Sequence, residues 1–155
     1  MTTGSPETPI PATASWNPGR LVPVVLWMGV IFAFSSREDV PKPPGFSLDV
    51  TSVAGHLSVY AVLAALAWWA LGGLVRSPRQ RMAAAFCIAI LYGLSDEWHQ
   101  SFVPGRTPDA WDLVVDAIGA MIGIAVATGL TRRGGRERDP SAGQSNGNPS
   151  SIRSR

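Results

Sequence analysis

Four long apolar runs alternate with short polar segments along the chain. The runs cover residues 21–34, 54–75, 82–95 and 113–130, and their only charged or imidazole side chains are Asp116 and His56. Two runs are shorter than the roughly 20 residues of a membrane-spanning helix, so a soluble helix bundle is the competing interpretation. A soluble bundle needs a polar stripe along each helix, and the first and third runs have none. The pattern therefore predicts an all-α, polytopic membrane protein.

The predicted architecture is one bundle of four transmembrane helices flanked by two disordered tails. The helices are expected at residues 21–36, 52–75, 80–102 and 108–131, within a single domain of residues 20–131. Only 15% of the 155 residues are charged, against about 25% in soluble domains. Residues 1–19 and 132–155 are rich in Pro, Ser, Thr, Gly and Asn, a composition that cannot bury enough apolar area to fold.

The arginines flank the apolar runs and form no basic face interleaved with aromatic residues, so we expect no nucleic-acid partner. The loop 76–81 carries three arginines and no acid, and Arg132 and Arg133 follow the fourth run. Short basic segments stay in the cytoplasm, which predicts a multi-pass cell-membrane protein with both termini cytoplasmic. A cleaved signal peptide competes for the first run because residues 33–35 fit a cleavage site. It is disfavoured because no basic residue precedes Arg20.

Polar side chains lie at one common height, about 22–30 Å along each helix from its basic end. The candidate catalytic residues are Asp96, Glu97 and His56, and the candidate binding residues are Arg106, Gln100, Tyr60, Asp112, Asp116, Ser35 and Ser36. Three pairs among them have i,i+4 spacing, so each pair shares a helix face. A carboxylate facing lipid costs about 2.5–3.5 kcal/mol at mid-membrane. We therefore expect a shared polar pocket that opens to the outer face.

The connection into the fourth helix has an interpretable sequence. Pro104-Gly105 fits the centre of a type II turn, which would direct Arg106 back over the pocket. Thr107 followed by Pro108 fits an N-cap and first helical residue, so the fourth helix is expected to begin near Pro108.

The fourth helix also carries a strip of small residues below its carboxylates. Gly119, Gly123 and Ala127 continue the face of Asp112 and Asp116. Small residues at i,i+4 spacing allow another helix to approach closely. The same helix face is therefore expected to pack against a neighbour and to present acids to the pocket.

The order and spacing of these motifs resemble the VanZ-like family of bacterial membrane proteins over residues 21–130. The matching motifs are Phe34-Ser35-Ser36, Gly55-His56-Leu57-Ser58-Val59-Tyr60, Ser95-Asp96-Glu97 with Gln100, Pro104-Gly105-Arg106, and Asp112 with Asp116 and Gly119. The resemblance implies a small multi-helix protein of the cytoplasmic membrane, and the namesake is associated with teicoplanin resistance. Asp116 departs from the Asn expected there in relatives. Some members carry a phosphotransbutyrylase label, but this chain has no Gly-rich phosphate loop to support it.

Two functions follow as hypotheses. In the first, the pocket binds or modifies the head group of an envelope lipid or glycan precursor. Arg106 and His56 would contact its phosphate or carboxylate, and Asp96 and Glu97 would accept protons. The family resemblance also implies a link to glycopeptide antibiotic resistance. Alternatively, the protein is a non-catalytic structural or interaction protein whose polar cluster only ties helix ends together. Membrane lipids are the expected partners in either case.

Two other functional classes, a cation-binding protein and a proton-coupled transporter, have weaker support in the sequence. His with Asp and Glu could bind a divalent cation, but no compact metal motif is present, so we expect no metal site and no cofactor. A proton-coupled transporter would need polar residues through the lower half of the helices, and residues 63–75 and 117–130 offer almost none.

The topology prediction can be checked with a reporter enzyme fused after Arg138. A reporter that works only in the cytoplasm should be active, because the basic segments retain that end inside. Activity of an exclusively extracytoplasmic reporter at the same position would contradict the orientation.

Overall fold

In this computed structural model, the described residues are 17–37, 50–106 and 109–136, and all the regular structure in them is helical. A short 3-10 turn, Pro18–Arg20, leads into α1, Leu21–Ser35. Helix α2 spans Val50–Ala70 and ends in a 3-10 turn, Leu71–Gly73. Helix α3 spans Pro78–Gln100, and α4 spans Ala110–Arg136. The four predicted helices are confirmed, whereas Thr107, Pro108 and most of both tails lie outside the described residues.

Three of the helices are long and apolar enough to cross a membrane. The qualifying segments are Pro18–Ser35, Ser52–Gly73 and Ala110–Arg133. Helix α3 has 23 residues, about 34 Å of rise, but its two ends carry arginines and acids, and the apolar run between them is short. Its assignment as a fourth span therefore stays a prediction.

Large apolar side chains project outward from all four helices. Leu26 on α1, Trp69 on α2, Leu91 on α3 and Val126 on α4 are each more than 40% exposed. Soluble monomers rarely present contiguous apolar surface of this extent. The outward faces therefore suit a hydrocarbon environment, in agreement with the three spanning segments.

Helix α2 is the centre of the bundle and contacts each of the other three helices. Its buried face carries Tyr60, Leu63, Ala64, Ala67 and Trp68. Among the described residues of α3 and α4, six of the eleven buried positions are alanine or glycine, so these backbones approach α2 closely and dispersion contacts replace long interdigitating side chains.

The small-residue strip of α4 packs on α2, as the sequence predicts. A Cβ atom at Gly119 would overlap the carbonyl oxygen of Leu57, and one at Gly123 would overlap that of Ala61. Both glycines are buried. The absence of side chains at these two positions therefore sets the separation of α2 and α4.

Helix α1 is attached differently, through side-chain hydrogen bonds to backbone carbonyls. Trp27 Nε1 on α1 donates to the Val59 carbonyl of α2 at 2.8 Å. Tyr92 Oη on α3 donates to the Met28 carbonyl of α1 at 2.5 Å. Because most of α1 is exposed, these directional bonds supply the contacts that the small apolar interface lacks.

The α2–α4 contact can be tested with alanine substitutions on one helix. Gly123→Ala should lower the stability by about 1–3 kcal/mol, because the new methyl group overlaps a backbone carbonyl that cannot rotate away. Gly129→Ala is the matched control, since nothing lies within 4 Å of its added Cβ. Thermal unfolding in detergent micelles should show a lower Tm only for Gly123→Ala, and equal Tm values would contradict the packing.

Candidate functional site

A cavity of about 530 Å³ lies between α1, α2 and α3 at the end of the bundle that carries the polar side chains. Its lining combines an apolar wall with polar groups and two arginines. The lining residues are Ile31, Phe34, Ser35, Arg37, Ser52, Gly55, His56, Val59, Tyr60, Asp96, Gln100 and Arg106. The volume falls within the range of small-molecule sites, roughly 300–1,000 Å³.

The base of the cavity is a hydrogen-bond cluster on one oxygen of Asp96. Ser35 Oγ donates to Asp96 Oδ2 at 2.6 Å, and Gln100 Nε2 donates to the same oxygen at 3.2 Å and to Ser35 Oγ at 2.9 Å. Tyr60 Oη lies 3.5 Å from that oxygen. The four residues come from three helices, and all are buried. We refer to them as the Asp96 cluster.

The other carboxylate oxygen of Asp96 is different. Asp96 is only 5% exposed, so its Oδ1 is shielded from solvent, yet this oxygen has no hydrogen-bond partner among the described residues. Buried polar atoms are nearly always satisfied, so an unpartnered oxygen on a residue that lines the cavity needs an explanation. A carboxylate oxygen of this kind can accept a hydrogen bond from a hydroxyl or an amine.

A second cluster joins α2 to α4 through His56. Its Nδ1 lies 3.0 Å from Asp116 Oδ1, and its Nε2 lies 3.7 Å from Asp112 Oδ2. When Asp116 is ionised it can only accept, and the proton of this hydrogen bond then belongs to His56 Nδ1. The carboxylate thereby fixes the orientation of the ring. Among the residues that the structure describes, no group of three or more His, Cys, Asp or Glu is arranged to hold a metal ion.

Gly93 on α3 separates the two clusters. A Cβ at Gly93 would lie 3.2 Å from Asp116 Oδ2 and 3.5 Å from Tyr60 Cε1. The missing side chain lets the α4 carboxylate and the tyrosine approach α3 together. His56 and Tyr60, which stack with ring centroids 6.3 Å apart, link the clusters along α2.

Glu97 lies outside the cavity lining and contacts the start of α4. Its Oε2 accepts a hydrogen bond from the Asp109 backbone N–H at 3.0 Å. Asp109 Oδ1 in turn accepts from the Trp111 backbone N–H at 2.9 Å, the geometry of an N-cap. Glu97 Oε1 is buried without a partner in the described residues. Glu97 therefore positions the beginning of α4. The helix starts at Ala110, two residues after the predicted start near Pro108.

The turn before α4 matches its prediction. Gly105 has φ of 79°, which type II turns require at their third position, and the Arg106 backbone N–H donates to the Val103 carbonyl at 3.1 Å. Arg106 then returns to the cavity lining, where its Nε donates to the Arg37 carbonyl at 3.4 Å. The turn thus connects the end of α3 to the end of α1.

The structure divides the ten predicted site residues into two groups. Six of them line the cavity: Ser35, His56, Tyr60, Asp96, Gln100 and Arg106. The other four, Ser36, Glu97, Asp112 and Asp116, surround it without lining it. Asp112 and Asp116 contact His56, which lines the cavity, whereas Glu97 contacts the start of α4.

Ser36 reaches a residue that the sequence prediction omits. Ser36 Oγ lies 3.0 Å from His99 Nε2, and the His99 ring stacks on Phe32 at 4.4 Å between centroids. Arg37 and Ser52 are also absent from the predicted site. Ser52 precedes His56 by four residues, so helical spacing could have identified it. Arg37 lies after the last turn of α1, so the helical repeat does not predict which way its side chain points.

The capping contact distinguishes two roles for Glu97. Glu97→Gln keeps an acceptor oxygen for the Asp109 N–H, so its thermal stability should stay near that of the wild type. Glu97→Ala removes the acceptor and should cost about 1 kcal/mol. A thermal melt in detergent measures both variants. Equal, large losses in both would show that the negative charge, and not the hydrogen bond, holds α4.

The comparisons with known proteins agree with these motifs. A family model described as VanZ/LLP1 matches residues 20–131, a range that contains every residue of the cavity lining. No curated protein and no solved structure matches the chain. The family match covers most of the chain, and three of its helices are apolar enough to span a membrane. The chain is therefore a membrane protein that belongs to the VanZ/LLP1 family.

Proposed function

We propose that the cavity binds the polar head group of an envelope lipid or glycan precursor that enters from the outer face of the membrane. The observation that carries this proposal is one cavity that contains both Arg37 and Arg106 and, at its base, a buried Asp96 oxygen without a partner in the described structure. Such a pair of features suits a ligand with an anionic group and a hydrogen-bond donor.

The arginines supply the anion-binding part of the site. A guanidinium group presents a planar fork of N–H donors that matches phosphate or carboxylate oxygens, and it stays charged at any physiological pH. Arg37 is exposed and Arg106 is half-buried, so both remain within reach of a ligand at the membrane surface. A phosphate linked to a lipid is the group expected at this position.

The Asp96 cluster supplies the hydroxyl-binding part. Three donors already converge on Oδ2, which leaves Oδ1 as the acceptor that faces no protein donor in the described structure. A sugar hydroxyl or an amine would satisfy it and remove the cost of a buried unpaired acceptor, about 1–3 kcal/mol. Ile31, Phe34 and Val59 then offer an apolar wall to the lipid chain.

If the head group is modified, Asp96 and His56 are better candidates for proton transfer than Glu97. Asp96 lines the cavity and has one oxygen without a partner among the described residues, and His56 lines the cavity with its ring hydrogen-bonded to Asp116. Glu97 is the weakest of the three candidates because its carboxylate is engaged with the start of α4.

The alternative is a structural protein whose polar side chains only join helix ends. The specific observation in its favour is that Ser35, Asp96 and Gln100 connect α1 to α3 without any ligand. This alternative expects Asp96→Asn to destabilise the protein and expects no added lipid to stabilise the wild type.

Ligand-dependent stabilisation separates the two functions. Wild-type protein in detergent is titrated with a polyprenyl phosphate, a polyprenyl phosphosugar and phosphatidylcholine while the Tm is recorded. The proposal expects a Tm rise with the phosphosugar, little change with phosphatidylcholine, and about tenfold weaker binding in Arg106→Gln, which loses a charge-assisted contact.

Two variants control this experiment. Arg79→Gln removes the same charge at the opposite end of the bundle and should bind like the wild type. Asp96→Asn should keep the phosphate response and lose the preference for the sugar. No Tm response to any polyprenyl ligand, together with lower basal stability of Asp96→Asn, would support the structural alternative.

Expression in a glycopeptide-sensitive bacterium, with teicoplanin sensitivity as the readout, tests the link to resistance that the family implies.

A further inference from the structure

Two arginines lie on tryptophan rings at the end of the bundle opposite the cavity. Arg81, in the first turn of α3, places its Cζ 3.4 Å from the centroid of Trp68 and donates from Nε to the Trp68 carbonyl at 2.5 Å. Arg20, just before α1, places its Cζ 5.1 Å from the centroid of Trp69. Each guanidinium group is therefore held by an aromatic ring, an interaction that restricts its position.

The end of α2 is shaped to admit the Arg81 side chain. A Cβ at Gly72 would lie 2.9–3.0 Å from the guanidinium atoms Nη2, Cζ and Nη1. The glycine thus leaves the space that the guanidinium group occupies beside the last turn of α2. A flexible topology signal would not require this fit, since any exposed basic residue retains a loop in the cytoplasm.

In the part of the chain that the structure describes, no carboxylate neutralises the positive charge at this end. Trp68 and Trp69 are consecutive residues of α2, so the two guanidinium groups lie against adjacent positions of one helix turn. Within residues 17–37, 50–106 and 109–136, the ion pairs present involve His56, and no carboxylate pairs with either arginine. The Nη groups of Arg81 donate to no acceptor in that part of the chain, and the buried Nε1 of Trp68 beneath it has none either. Among the described residues, these donors and both positive charges therefore have no acceptor or counter-ion.

We propose that Arg20 and Arg81 together bind a phosphate-bearing anion, with the head group of an anionic phospholipid as the expected source. A phosphate between the two guanidinium groups would remove their repulsion and accept from their free N–H groups. Leu21 and Met82 directly follow the two arginines in the sequence and are exposed, so they offer contacts to acyl chains. This site is separate from the cavity and does not depend on the function proposed for it.

Binding at this site can be measured on the full chain in detergent micelles. Wild type, Arg20→Gln, Arg81→Gln and the control Arg79→Gln are titrated with phosphatidylglycerol, with phosphatidylcholine and with inorganic phosphate. Native mass spectrometry counts bound lipid, and thermal melting reports stabilisation. Arg79 is exposed, and in the described structure it contacts no aromatic ring, so it changes the net charge equally without touching the proposed site.

The proposal expects phosphatidylglycerol to bind the wild type and Arg79→Gln equally, and to bind Arg20→Gln and Arg81→Gln about tenfold more weakly. If Arg81→Gln does not fold, Arg20→Gln still tests the proposal, because Arg20 lies in the 3-10 turn before α1 and not within one of the four helices. A response to inorganic phosphate with the same dependence on the two arginines would support the site with a soluble anion as its source. Equal weakening by Arg79→Gln, or equal binding of phosphatidylcholine, would overturn it.

Discussion

The close approach of α4 to α2 is the constraint on which the rest of the structure depends. Gly119 and Gly123 bring the α4 backbone against the carbonyl groups of Leu57 and Ala61. Leu57 is the neighbour of His56, and Gly119 lies one turn below Asp116, so the same contact that packs the helices also brings the imidazole and the carboxylate together. A larger residue at either glycine would move apart two side chains that it does not touch.

Polar side chains in this bundle serve as contacts between helices. In a hydrocarbon environment lipid offers no competing hydrogen bonds, so an unsatisfied polar group is costly and a satisfied one is directional. Helix α1 shows the result, because Trp27, Tyr92 and the Ser35–Asp96 pair hold a helix with little buried apolar surface. Asp96 is an exception, because Ser35, Tyr60 and Gln100 all lie around Oδ2 while Oδ1 has no partner among the described residues.

The sequence predicts those features that depend on spacing within one segment. Apolar runs predict the four helices, Pro104-Gly105 predicts the turn that returns Arg106, and i,i+4 spacing places Asp112 with Asp116. The division of the site into an Asp96 cluster and a His56 cluster depends on how α3 and α4 are rotated, which Gly93 and Gly119 determine through packing. Sequence reasoning could have separated Asp96 from Glu97. Adjacent residues on a helix point about 100° apart, so these two side chains could not face the same cavity.

The central claim is that the cavity between α1, α2 and α3 is a ligand site and not a gap between joined helix ends. An experimental structure of the protein in lipid nanodiscs, prepared with a polyprenyl phosphosugar, tests it most directly. We expect non-protein density that reaches from the Arg106 guanidinium group to Asp96 Oδ1, with the α1–α3 hydrogen bonds of Ser35 unchanged. A structure in which α1 closes the cavity and a protein donor occupies Asp96 Oδ1 would contradict the claim.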